Sequence, residues 1–284
     1  PSFLKPIPNR SEGNCPMTPS ITPKHNKKRD RTAPPLRRIA VGAGVTLFWL
    51  LVWEGVALLV GQELLIPTPL TVLKTLWRLI GTPLFWKAAG FSLLRGAGGF
   101  LAAVVAGCTA AVLTSRFSIA RALLAPLLHI VRAAPVASFI ILALVWFRTD
   151  VLPVFIAFLM VMPVVWANVE KGIHGIDPTL LEMAEVYRFG RLKTLLRIRL
   201  PSVMPYFLAA CTTGLGFAWK SGIAAEVICR PALSIGRQLQ DAKIYLETPE
   251  VFAWTATVVT LSILLEKGLL QLAKRLGRRY NAVE

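Results

Sequence analysis

The chain has 284 residues, 55% of them hydrophobic, yet carries a formal charge of +17. With a mean hydropathy of +0.59, that pairing excludes an ordinary soluble domain and fits a membrane protein with basic margins. The four cysteines (Cys15, Cys108, Cys211, Cys229) and three histidines (His25, His129, His174) are scattered, so no zinc site, disulfide framework or catalytic triad assembles from sequence order.

Residues 1–38 are rich in Pro, Ser, Thr, Asn and Lys/Arg and hold no apolar run able to offset the entropy of ordering. They read as a disordered basic tail whose charge flanks a first membrane helix rather than binding nucleic acid. The chain does not begin with methionine, Met17 opens a plausible shorter protein, and the first apolar run is too long for a cleavable signal. A helix needs about 20 mostly apolar residues to cross a bilayer. Six segments qualify: 39–61, and the neighbourhoods of 88–114, 119–147, 151–170, 201–223 and 251–273. The expected fold is an all-α membrane protein with about six transmembrane helices. The membrane domain covers 39–276, followed by a short tail at 277–284. The third segment, interrupted by Pro126, Arg132 and Pro135, reads as a helix, a break and a second helix.

Basic loops stay in the cytoplasm. The tail, the "SRFSIAR" loop, the loop from Lys171 to Arg199 and the terminal "KRLGRR" are all basic, whereas the alternate loops mix both signs. Six crossings therefore leave both termini cytoplasmic. Gly99, Ala103, Gly107 and Ala111 repeat every four residues in the second segment, and Ala210, Gly214, Ala218 and Gly222 do so in the fifth. Such stripes let helix backbones approach closely in lipid. They also dispose of "GLGFAWKS" (214–221), which misses a phosphate-binding loop by one residue. Gly214 and Gly216 belong to an apolar helix, no strand precedes them, and Trp219 stands where the second glycine is needed.

The most informative stretch is "GIDPTLLEMAEVYRFGRLKTLLRIRLPSVMPYF", residues 175–207. Asp177 before Pro178 is a strong helix start. Leu181, Ala184 and Tyr187 or Arg188 recur at helical spacing, with Leu181, Ala184 and Tyr187 as the expected apolar docking side, Gly190 interrupts, and a basic amphipathic run ends at Pro201. Periodicity alone also allows a lipid-surface helix here. Glu182, Met183 and Ala184, then Ile198 with Leu200 and Pro201, match the spacing of the pattern E-A-A, three residues, G, nine residues, I-x-L-P. Arg188 stands at the pattern's glycine, with Gly190 two residues later as the expected source of the bend.

In these residues the chain resembles the permease subunits of bacterial ABC importers, and "IPTPLTVLKTLW", "LLHIVRAAPVASFIILALVWF" and "LPSVMPYFLAACTTGLGFAWKSGIAAEVI" resemble their nitrate, sulfonate, taurine and bicarbonate branch. The resemblance spans roughly residues 40–275 and implies a type I importer permease fold whose cytoplasmic loop, 175–200, couples to a separate ATPase. The coupling residues would be Glu182, Met183, Ala184, Tyr187, Arg188 and Gly190. The implied partners are ABC ATPase subunits, an extracytoplasmic substrate-binding protein, a second permease copy and the lipid bilayer. No nucleic acid is implied, MgATP would sit on the ATPase, and this chain would bind no cofactor or metal and be no enzyme. The implied location is the bacterial cytoplasmic (inner) membrane, crossed several times.

Charges inside apolar segments need partners, water or the interface. Arg132, Trp219, Lys220, Ser221 and Glu226 are therefore the candidate pathway residues. Lys220 would attract a small anion, or else pair with Glu226 or Glu54. The competing classes are a permease for an uncharged precursor such as a pyrimidine, an ion-gradient-driven secondary transporter, and a basic-tailed anchor for nucleic acid or anionic lipid.

Overall fold

The computed structural model describes residues 35–281, with side chains described over 41–271. The expected tail before residue 35 and residues 282–284 lie outside the described residues. Eleven helices follow in order, joined by turns, and no strand occurs among the described residues: α1 (Pro35–Val60), α2 (Pro69–Ile80), α3 (Pro83–Arg116), α4 (Ser118–Ala133), α5 (Val136–Ala143), α6 (Leu152–His174), α7 (Pro178–Val186), α8 (Arg191–Thr194), α9 (Leu200–Cys229), α10 (Ile235–Ile244) and α11 (Thr248–Asn281). A π-helical turn, Leu195–Arg199, joins α8 to α9. Two expected boundaries shift. α1 begins at Pro35, inside the segment expected to be disordered, because proline fits a first helical turn. α11 continues to Asn281 through most of the expected C-terminal tail.

Contacts divide the chain after Phe48. In the first unit the N-terminal half of α1 is described, where Thr46 donates to the Gly42 carbonyl at 3.0 Å. The second unit, from Trp49, holds all the remaining helices. Several begin with the same local chemistry. Thr68, Thr82 and Asp177 each precede a proline and accept an N–H from the first turn, and Ser234 accepts one from Arg237.

Helix α6 lies between α3 and α9 and is buried on opposite sides. Ile156, Ala157, Val161 and Val165 are fully enclosed. Gly99 lies against Val154 and Ala157, Gly107 against Met162 and Val165, and Trp166 donates to Thr114 at 2.9 Å. All eight residues of the two small-residue stripes are buried. The approach is close enough that a Cβ on Gly99 would meet the Val154 carbonyl at 2.5 Å. This is the packing that the absence of a hydrophobic drive between helices in lipid demands.

These pairings also fix direction. Residue numbers rise together along α3 and α6, so the two helices are parallel, and the chain between them must return across the membrane. It does so through α4 and α5. Arg121 binds Glu170 at the α6 C-terminal end, Arg132 donates to the Pro163 carbonyl halfway along, and Ile140 and Ala143 pack with Leu152 and Ile156 at the other end. The two helices are bent by 105°. The break falls at Ala134 and Pro135, both extended, because proline drives its preceding residue out of the helical region. Pro126 is instead absorbed within α4. Five single helices are long and apolar enough to cross, and this bent pair makes the sixth crossing.

The ends of the second unit differ in chemistry. At one end the C-termini of α3 and α6 meet the start of α9, where Gly172 lies against the Tyr206 ring. At the other, Trp53 donates to the Pro67 carbonyl and stacks on Phe252, and Arg78 binds Glu250.

Candidate functional site

The elbow between α6 and α9 is built from caps at each joint. Gly175 closes α6 on the Lys171 carbonyl. The Asp177 carboxylate accepts from the Thr179 hydroxyl at 2.7 Å and its N–H at 2.9 Å, and these bonds hold its pKa below the ordinary carboxylate value. At the far end of α7 the Phe189 N–H reaches the Ala184 carbonyl and the Arg188 N–H reaches that of Glu185. That pair of bonds is a Schellman motif, which requires a left-handed residue at its penultimate position. Arg188 supplies it, with φ of 52°. The expectation that Gly190 would make the bend is corrected. Gly190 has φ of −63° and serves as the N-cap of α8.

A side chain in the left-handed region costs about 1–2 kcal/mol, partly offset by its smaller unfolded-state entropy. Arg188→Gly should therefore stabilise the elbow by about 0.5–1 kcal/mol and slow amide hydrogen exchange across residues 184–190. Faster exchange in the variant would contradict this account of the bend.

The buried and exposed faces of α7 also differ from expectation. Ala184 is 3% exposed and Leu181 is partly buried, so both face the protein's own interior. The uncovered apolar residues of α7 are Leu180, Met183, Val186 and Tyr187, the last two 79% and 71% exposed. Glu182 and Glu185 stand exposed among them. Periodicity identified a helical face, but it did not say which face turned inward. Beyond the bend, α8, the π turn and α9 form one uninterrupted helical run, Arg191–Cys229. The elbow is therefore continuous with a spanning helix.

The five pathway candidates are not gathered in one place. Arg132 sits midway along α4 on the Pro163 carbonyl. Trp219 is buried between α3 and α11, its indole donating to the Val258 carbonyl at 3.1 Å. The Ser221 hydroxyl donates to the Phe217 carbonyl one turn back. Lys220 is exposed in the single chain and shares a face of α9 with Thr213, Phe217, Ala224 and Ile228. Glu54 is partly buried on α1.

Glu226 points elsewhere. Only 1% exposed, it accepts from the Ser92 hydroxyl at 2.7 Å, the Gly236 N–H at 3.2 Å and Arg95 at 3.4 Å. Arg95 also donates to the Ala232 and Leu233 carbonyls and lies 3.7 Å from Asp150. This cluster ties α3, α9 and α10 together, and Arg95, not Lys220, is the partner of Glu226. Sequence reasoning missed Arg95, although it offered the same signal as the others, a charge inside an apolar run. Among the described residues no group of side chains could hold a metal.

The candidate crossings and the capped elbow that joins α6 to α9 can be compared with known proteins. Residues 103–280 match the family model described as binding-protein-dependent transport system inner membrane component. The chain belongs to that family. It is 27% identical to the taurine transport system permease protein TauC of Escherichia coli (strain K12) over 94% of this chain and all of the relative. It is 26% identical to the putative aliphatic sulfonates transport permease protein SsuC of Bacillus subtilis (strain 168), over 92% and 96% of the two chains. The nitrate import permease protein NrtB of Leptolyngbya laminosa is 27% identical over 72% and 76%. A solved amino acid ABC transporter structure shares the fold, with a TM-score of 0.57 at 16% identity, covering 68% of this chain and 94% of that one. The chain is thus an ABC permease of the nitrate, sulfonate, taurine and bicarbonate branch, a multi-pass inner-membrane protein with the type I permease fold. As a transport permease subunit it is not an enzyme.

Proposed function

We propose that this chain is the translocating subunit of an ATP-driven importer for a small anionic solute handed over by a binding protein outside the membrane. The carrying observation is the unbroken helical run from the elbow at Arg191 to Cys229 at the opposite end of the membrane unit, with the exposed apolar side of α7 beside it. ATPase subunits holding MgATP grip Met183, Val186 and Tyr187, with Glu182 as a charged contact, and their closure moves α9 as a lever. Ala184 and Arg188 act within the elbow by holding its shape. A second permease copy faces the uncovered side of α9, and the pathway runs along the stripe holding Lys220.

On this reading the elbow end lies in the cytoplasm. Arg116, Arg121, Lys171, Arg191, Lys193, Arg197 and Arg199 collect there, while the opposite end carries both signs. The anionic class is supported by Lys220 and by relatives whose names specify taurine, sulfonates, nitrate and bicarbonate.

The reading is tested by measuring solute uptake into vesicles that hold the chain with its ATPase subunits, its binding protein and MgATP. Uptake is expected only when all are present. Uptake by the chain alone under an ion gradient would mark a secondary transporter and overturn the reading.

A further inference from the structure

The elbow has two differently composed halves. α7 carries Glu182 and Glu185 among its exposed residues, but from Gly190 to Ala225 the sequence contains no acidic residue. In the second half Leu192, Leu195 and Leu196, spaced i, i+3 and i+4, are 69%, 48% and 52% exposed. Arg191, Lys193, Arg197 and Arg199 stand exposed around them, and Ile198 alone is buried against the protein. The segment passes into the spanning helix α9 without a break.

We infer that α8 and the π turn form a lipid-contact site, with the leucine stripe dipping into the inner leaflet and the basic side chains holding the phosphates of anionic phospholipids. An exposed leucine stripe bordered by Lys and Arg suits the membrane boundary at the end of a span, since the long side chains cover apolar surface while their charges reach the headgroups. Continuity with a membrane span and the all-basic charge both favour lipid over a protein groove. The inference stands on the membrane character of α9 and is independent of the ATP-driven reading. Joined to the proposed function, it means that the two halves of the elbow are held by different partners: the motor on α7, and the membrane on the run leading into α9.

The test places a benzophenone amino acid at the position of Leu196 in the full chain, reconstituted in vesicles of equal phosphatidylglycerol and phosphatidylcholine. Photo-adducts are expected to form on lipid, with phosphatidylglycerol favoured several-fold. Each of Arg191→Gln, Lys193→Gln and Arg197→Gln should reduce that preference by up to about fivefold. Equal labelling of the two lipids by the otherwise unaltered chain would overturn the inference, as would adducts formed on the ATPase instead of lipid when the same position is irradiated in the complete assembly. Both readings of the unaltered basic chain stand even if a glutamine variant fails to insert.

Discussion

Glu226→Ala is expected to destabilise the membrane unit by about 3 kcal/mol, because removing one partner leaves the other's charge buried and poorly compensated. Arg95 has a side-chain exposure of only 13%, and it would keep the Ala232 and Leu233 carbonyls but lose its most buried counter-charge. Ser92 would lose its acceptor while still receiving the Ile235 N–H, and the Gly236 N–H would be left without its carboxylate. The packing allows little relaxation, since a Cβ on Gly236 would lie 2.4 Å from the Glu226 Cβ. Glu226→Gln, which keeps the shape and one acceptor oxygen, should cost less. Thermal unfolding in detergent or vesicles reads both effects. Equal stability of the alanine variant and the parent would show that the cluster does not hold α3, α9 and α10 together.

Much of this architecture was legible because lipid imposes simple rules. Segment length marked the crossings, and the small residues at four-residue spacing marked the faces that pack on α6. Those signals are local and periodic. The Glu226–Arg95 contact is neither: its partners are 131 residues apart, and a charge in an apolar run announces a need for a partner without naming it. Lys220 was nearer in sequence, which made it the obvious choice. At the elbow, Asp177 with Pro178 announced the start of α7 through capping chemistry. The end of α7 was harder to read, because Arg188 occupies a conformation usually given to glycine while a real glycine lies two residues later in ordinary backbone. Which face of α7 turns inward was hard to read for a related reason. α7 has apolar residues around much of its circumference, so only contact with the rest of the chain distinguishes buried Ala184 from exposed Val186 and Tyr187.

The second large effect concerns the rod itself. Two glycines inserted between Thr194 and Leu195 would interrupt the run just before the π turn. Each glycine costs about 1 kcal/mol in a helix interior and adds a flexible joint. α7 would keep its caps and its exposed apolar side, so the motor would still bind and hydrolyse ATP. Movement of the elbow would then be absorbed at the joint instead of tilting α9. Solute uptake should fall by about tenfold or more, since a misplacement of roughly 1 Å suffices for losses far larger than that in a geometry-dependent step.

The most direct measurement is solute taken up per ATP hydrolysed, recorded in the same vesicles for the complete assembly with and without the inserted glycines. The lever account predicts that hydrolysis continues while uptake collapses. Uptake per ATP at the level of the uninterrupted chain would contradict it.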